Sequence, residues 1–215
     1  MPFLYEIFDN PFARKALLGV AVPPCIGDNL RYGIRPYQEE AFKRFVYFDT
    51  EDFDGKPTKP IHLLFNMATG SGKTLIMAGL MLYLYEKGHR NFLFFVNSNN
   101  IIEKTKDNFL NSHASKYLFV DDLTVGGKTI KIKEVENFDE ADTENINIKF
   151  TTIQRLHLDL SITKENSITY EDFENRKVVL IADEAHHLSS GTKADGALFG
   201  SWEGTVLKIL QSSFD

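Results

Sequence analysis

Two short runs hold residue types whose order and spacing could do chemistry. In Met67-Ala-Thr-Gly-Ser-Gly-Lys-Thr74, Gly70 and Gly72 flank Ser71 and are followed at once by Lys73 and Thr74. Glycines at such positions let a turn point its N–H groups inward, where they can cradle phosphate oxygens together with the start of a helix. Thr69, Gly70, Ser71 and Gly72 would form the wall of that cradle. Lys73 would supply a point charge for the β and γ phosphates, and the Thr74 hydroxyl is a ligand for Mg²⁺. The pattern predicts a site for ATP, with Met67 standing where the general form of this loop has its first glycine.

A phosphate loop holds Mg²⁺ incompletely and needs a carboxylate from a neighbouring strand. The run Val178-Val-Leu-Ile-Ala-Asp183-Glu184-Ala185-His186-His187 offers one. Its apolar residues read as a strand buried on both faces, with Asp183 emerging at the carboxyl edge, where ligands bind in open α/β sheets. Asp183 would hold the metal, and Glu184 would orient and deprotonate an attacking water. His186 and His187 are adjacent rather than one helical turn apart, which argues against a zinc pair.

These residues need a scaffold, and the pattern around them supplies it. Pro36 opens an amphipathic helix, TEDFDGKPTKP is a surface loop, and Ile61 to Phe65 reads as a strand leading into the phosphate loop. After the loop come a helix from Leu75 to Tyr85 stopped by Gly88, a strand from Phe92 to Val96 and a helix from Ile101 to Leu110. Two successive βα units imply a parallel sheet. Further on, Thr129 to Val135 and Ile146 to Phe150 read as strands, Asn137 to Glu144 as an acidic loop, and the region of Trp202, Val206, Leu207 and Leu210 as a helix. The predicted class is α/β, a mainly parallel sheet flanked by helices.

Composition bounds the function. The chain has 215 residues, 43% hydrophobic and 25% charged, with 24 basic and 30 acidic residues for a net charge of -6. That balance excludes a broadly basic nucleic-acid binder, so any such contact must be local. The one cysteine, Cys25, excludes an internal disulfide framework and a four-cysteine zinc site. The acidic amino terminus lacks the pattern of a secretory signal, and no apolar run reaches the roughly 20 residues of a membrane span, which points to the cytoplasm.

Taken together, ATGSGKT and DEAH resemble the first RecA-like domain of superfamily-two DEAD/DEAH helicases and translocases, over roughly residues 30 to 215. MATGSGKT, VNSNN and ADEAHH are most similar to the Res subunits of type III restriction enzymes. The resemblance implies a RecA-like P-loop NTPase fold for residues 31–215, with residues 1–30 as an extension. It implies that Arg35 and Gln38 of RPYQ meet the adenine. It further implies that Asn97, Ser98, Asn99, Thr151, Thr152 and Gln154 touch a nucleic-acid backbone, and that His186 couples hydrolysis to movement. The expected partners are double-stranded DNA, a second RecA-like domain carrying an arginine finger, and a modification subunit with methyltransferase activity. Neither that second domain nor a nuclease domain is recognisable in this sequence, so the chain reads as one lobe of a larger motor, weakly active or inactive alone. A non-catalytic nucleotide-binding regulatory module, another superfamily-two fragment and a small-molecule P-loop kinase remain alternatives. Phosphate contacts do not separate DNA from RNA, and DNA rests on the resemblance only.

Overall fold

The computed structural model describes residues 4–57, 61–139, 141–162, 167–184 and 196–212, the last segment in part as backbone alone. The central sheet has four strands, β1 (Asn91–Val96), β4 (Ile132–Glu134), β5 (Ile146–Thr152) and β6 (Val178–Ala182), in the order β4-β5-β1-β6. Every pairing in it is parallel, with Val96 opposite Thr152 and Phe95 opposite Ala182. All carboxyl ends therefore lie along one edge, and the residues just past each strand are gathered there.

Strand β1 is central and buried on both faces, which its run NFLFFV serves by sending alternate side chains to opposite sides. Phe92, Phe94 and Val96 join a core with Ile146, Ile148 and Phe150 from β5, against α5 (Lys73–Glu86) and α6 (Asn99–Leu110). Leu93 and Phe95 face the other way, toward Ile153 and Leu156 of α7 (Ile153–Ser161), Phe173 of α8 (Tyr170–Asn175) and Ile209 of α9 (Gly196–Ser212). The result is a three-layer α/β/α arrangement.

Helix α5 starts directly at the phosphate loop and is apolar on all sides, because α3 (Pro24–Gly27) and α4 (Pro36–Thr50) enclose it. Its Gly79 admits the Phe42 ring of α4, and a Cβ there would lie 2.5 Å from Phe42 Cζ. The helix is stopped by Gly88, whose φ of +97° suits glycine. Residues ahead of 31 are not set apart from this core: Cys25 and Ile26 of α3 are buried in it. Helices α1 (Leu4–Phe8) and α2 (Pro11–Leu18) cover the far end of α4 through Phe8, Leu17 and Phe48.

Three expectations need correction. Residues 61–65 form no strand, and Leu64 is 79% exposed. Their apolar side chains pack elsewhere: Phe65 lies 6.2 Å from Phe45 of α4, and Leu63 joins the Phe8 cluster, so the backbone gains no ladder. Strand β6 is consequently an edge strand, half-buried at all five residues rather than buried on both faces. The stretch from Thr129 to Val135 is divided between two sheets. β2 (Thr124–Val125) and β3 (Lys128–Thr129) form a hairpin around Gly126 and Gly127, both at positive φ, before β4 enters the main sheet. The helices expected at 36, 75, 101 and 202, the strands at 92, 146 and 178, and the described residues of the acidic loop match the structure. Among the described residues no helix is long and apolar enough to cross a membrane.

Candidate active site

The phosphate loop forms a turn closed at its base by Ser71, whose N–H and hydroxyl both donate to the Ala68 carbonyl, at 3.2 and 2.6 Å. Gly70 and Gly72 take φ of +76° and +84°, where L side chains are strained. At Gly72 space is also short, since a Cβ would run into Gln38 Nε2. Met67, at the place of the usual first glycine, is not among the residues with positive φ; its side chain packs on the core, so that position does not need a glycine. Lys73 Nζ donates back to the carbonyls of Met67 and Ala68, both at 3.2 Å, and spans the loop.

Among the described residues the N–H groups of Gly70, Gly72, Lys73 and Thr74 have no backbone acceptor. Uncommitted amides around a lysine, at the amino end of a 14-residue helix, are what a phosphate chain requires. The donor set fits a polyphosphate, and the neighbouring Thr74 hydroxyl fits a magnesium ion bound to it.

Gln38 is 4% exposed although it belongs to the first turn of α4. Its Oε1 accepts from the Arg35 N–H at 3.0 Å, the N-capping half of a capping box, and its Nε2 donates to the Ser71 carbonyl at 2.9 Å. The carboxamide retains one acceptor site and one N–H beyond these two bonds. Tyr37 also donates to the Ser71 carbonyl, at 2.9 Å, and accepts from Arg35 Nη1 at 3.0 Å. Sequence reasoning passed over Tyr37, since its partner Ser71 stands 34 residues away.

Asp183 and Glu184 come directly after β6 at the carboxyl edge. The Asp183 N–H donates to the Phe95 carbonyl at 3.3 Å, and Asp183 Oδ1 accepts from the Glu184 N–H at 2.9 Å. Glu184 takes φ of +54°, the one non-glycine at positive φ among the described residues, a backbone conformation strained for a side chain of this kind. Arg35, Gln38, residues 69–74, Asp183 and Glu184 all line one open cleft of about 2190 Å³. Sequence-distant carboxylates and the phosphate loop thus border the same cleft. His186 and His187 lie outside the described residues. Among those described, no cluster of three His, Cys, Asp or Glu side chains could hold a metal ion.

The residues assigned to a nucleic-acid backbone stand at the same sheet edge, outside that cleft. Asn97 comes just after β1, Ser98 is the extended N-cap of α6, and Asn99 opens the helix and is exposed. Thr152 caps α7 by accepting from the Arg155 N–H at 3.2 Å, whereas Thr151 is buried, with 5% exposure. Gln154 Nε2 donates to Asn97 Oδ1 at 2.8 Å and joins the two segments.

A family model described as "Type III restriction enzyme, res subunit" matches residues 31–214. A protein of Haemophilus influenzae described as a probable type III restriction-modification enzyme HindVIP Res subunit is 44% identical over 177 residues, which is 80% of this chain and 34% of that protein. The chain therefore spans about a third of the length of the curated relative it matches. No solved structure matches the chain.

Proposed function

Since the chain belongs to the family of type III restriction enzyme Res subunits, with the ATP-binding, helicase-like domain of that family, we propose that it hydrolyses ATP to drive movement along double-stranded DNA in the intact protein. The observation that supports this best is the common cleft of Lys73, Thr74, Asp183 and Glu184, which unites a polyphosphate cradle with two carboxylates.

Lys73 and the free loop amides hold the phosphates and stabilise the charge that develops on them. Thr74 and Asp183 would hold Mg²⁺, which would neutralise phosphate charge when bound. Glu184 orients a water toward the γ-phosphorus and takes its proton as the bond to the β-phosphate oxygen breaks. Arg35 and Gln38 meet the adenosine. Asn97, Ser98, Asn99, Thr152 and Gln154 form the edge that meets the DNA backbone, with the buried Thr151 behind them, and His186 couples the two sites.

Full turnover calls on a second RecA-like domain, whose arginine finger would add about 10³ to 10⁵ in rate. Cleavage calls on a nuclease domain and on a modification subunit as partner. The setting proposed is the cytoplasm. The test is DNA-stimulated ATPase of the intact protein carrying Glu184→Gln: nucleotide binding is retained and stimulated turnover lost. Normal stimulated turnover in that variant contradicts the assignment.

A further inference from the structure

The carbonyl of Ser71 receives two side-chain hydrogen bonds, from Tyr37 Oη and from Gln38 Nε2, both at 2.9 Å. In a planar trans peptide the C=O and the next residue's N–H point in opposite directions. Fixing the Ser71 carbonyl toward α4 therefore turns the Gly72 N–H the other way, to the side where phosphate is held. Whatever sits on the carbonyl side is separated from the phosphates by the loop itself.

The Arg35 guanidinium is on that side. Its Nη1 donates to Tyr37 Oη at 3.0 Å, it lines the cleft, and among the described residues no carboxylate pairs with it. It is thus a planar, uncompensated cation held at the rim of the nucleotide cleft by one neutral hydroxyl. A planar cation can lie on the face of a base or donate to its edge, whereas Lys73 already supplies the cation inside the loop.

We propose that Tyr37 is a positioning residue for nucleoside recognition, its hydroxyl tethering the Arg35 guanidinium to the Ser71 carbonyl so that the cation meets the nucleoside and not the phosphates. This rests on the phosphate-loop reading above. Tyr37 is 42% exposed, so loss of its hydroxyl leaves the core untouched. Gln38 still holds the Ser71 carbonyl when that hydroxyl is gone. The phosphate cradle and the nucleoside contact are therefore separable.

The experiment is calorimetric titration of the full chain, wild type and Tyr37→Phe, with Mg·ATP and with Mg·tripolyphosphate. ATP binding weakens about three- to tenfold in Tyr37→Phe, the loss expected for one hydrogen bond, and tripolyphosphate binding stays unchanged. Arg35→Gln reproduces the loss, and adding Tyr37→Phe to it costs nothing further. Equal ATP affinity in the wild type and Tyr37→Phe overturns the inference. So does an equal loss for both ligands, which makes Tyr37 a support of the loop alone. Failure of the wild type to bind tripolyphosphate at all strikes instead at the phosphate-loop reading, and the inference falls with it.

Discussion

Gln154 and Asn97 are joined by a hydrogen bond of 2.8 Å, Nε2 to Oδ1, across 57 residues of sequence. Each lies just past one of two paired parallel strands, and Val96 and Thr152, just ahead of them, are register partners. The bond makes one unit of the turn after β1 and the first turn of α7, at the edge from which Asp183 also emerges. A residue pair of this kind acts by holding two segments in register.

If the pair works as a unit on DNA, Asn97→Ala and Gln154→Ala in the intact protein each lower DNA-stimulated ATPase, and the double variant is no worse than the poorer single. A double-mutant cycle then returns a coupling of about 0.5–1.5 kcal/mol. Additive losses mean that the two side chains contact DNA separately.

Gly72 meets two constraints at once, a φ of +84° and the close approach of Gln38. Gly72→Ala incurs the left-handed backbone cost, about 1–2 kcal/mol, and also pushes Gln38 off the Ser71 carbonyl. ATP and tripolyphosphate affinity both fall by about 5- to 30-fold on the backbone cost alone. Retention of either affinity, measured by calorimetry, shows that the observed loop conformation is not the binding one.

The buried Cys25 thiol is pushed up to about 12, first by desolvation and then by the nearby Glu86 carboxylate. Burial and the hydrogen bond to Asp49 raise the Tyr83 phenol as well. A raised pKa means that the folded chain keeps a proton which the unfolded chain gives up, so stability is complete below the unfolded value of 9.0 and falls as pH climbs toward 12. Denaturant midpoints at pH 8, 9.5 and 10.5 should decline on about that scale, with a shallower slope in Cys25→Ala. An unchanged slope in that variant removes Cys25 as a cause.

The chemistry was the most legible part of the sequence, because its residue types lie within a few positions of each other. Gly70 to Thr74 and Asp183-Glu184, read from the sequence as one site, border the same cleft. What the sequence hid depends on partners distant in the chain. The apolar run at 61–65 identifies apolar side chains but not the surface that takes them, and Phe45 and the Phe8 cluster take Phe65 and Leu63. The Thr129–Val135 run carries strand propensity throughout, yet the Ile130 N–H goes to the Leu123 carbonyl and divides it between hairpin and sheet. Tyr37 and Asn147 carry no local signal at all. Asn147 is fully buried in β5 because the Asp142–Asn145 turn and Arg90 take up its amide.

The central claim is that residues 67–74 form a working phosphate site whose key cation is Lys73. Calorimetric titration of the chain with Mg·ATP, wild type against Lys73→Ala, tests it most directly. Affinity should drop about 10- to 100-fold in the variant, the value of charge-assisted hydrogen bonds, with the fold intact by circular dichroism. Equal affinity in the two proteins would contradict the account.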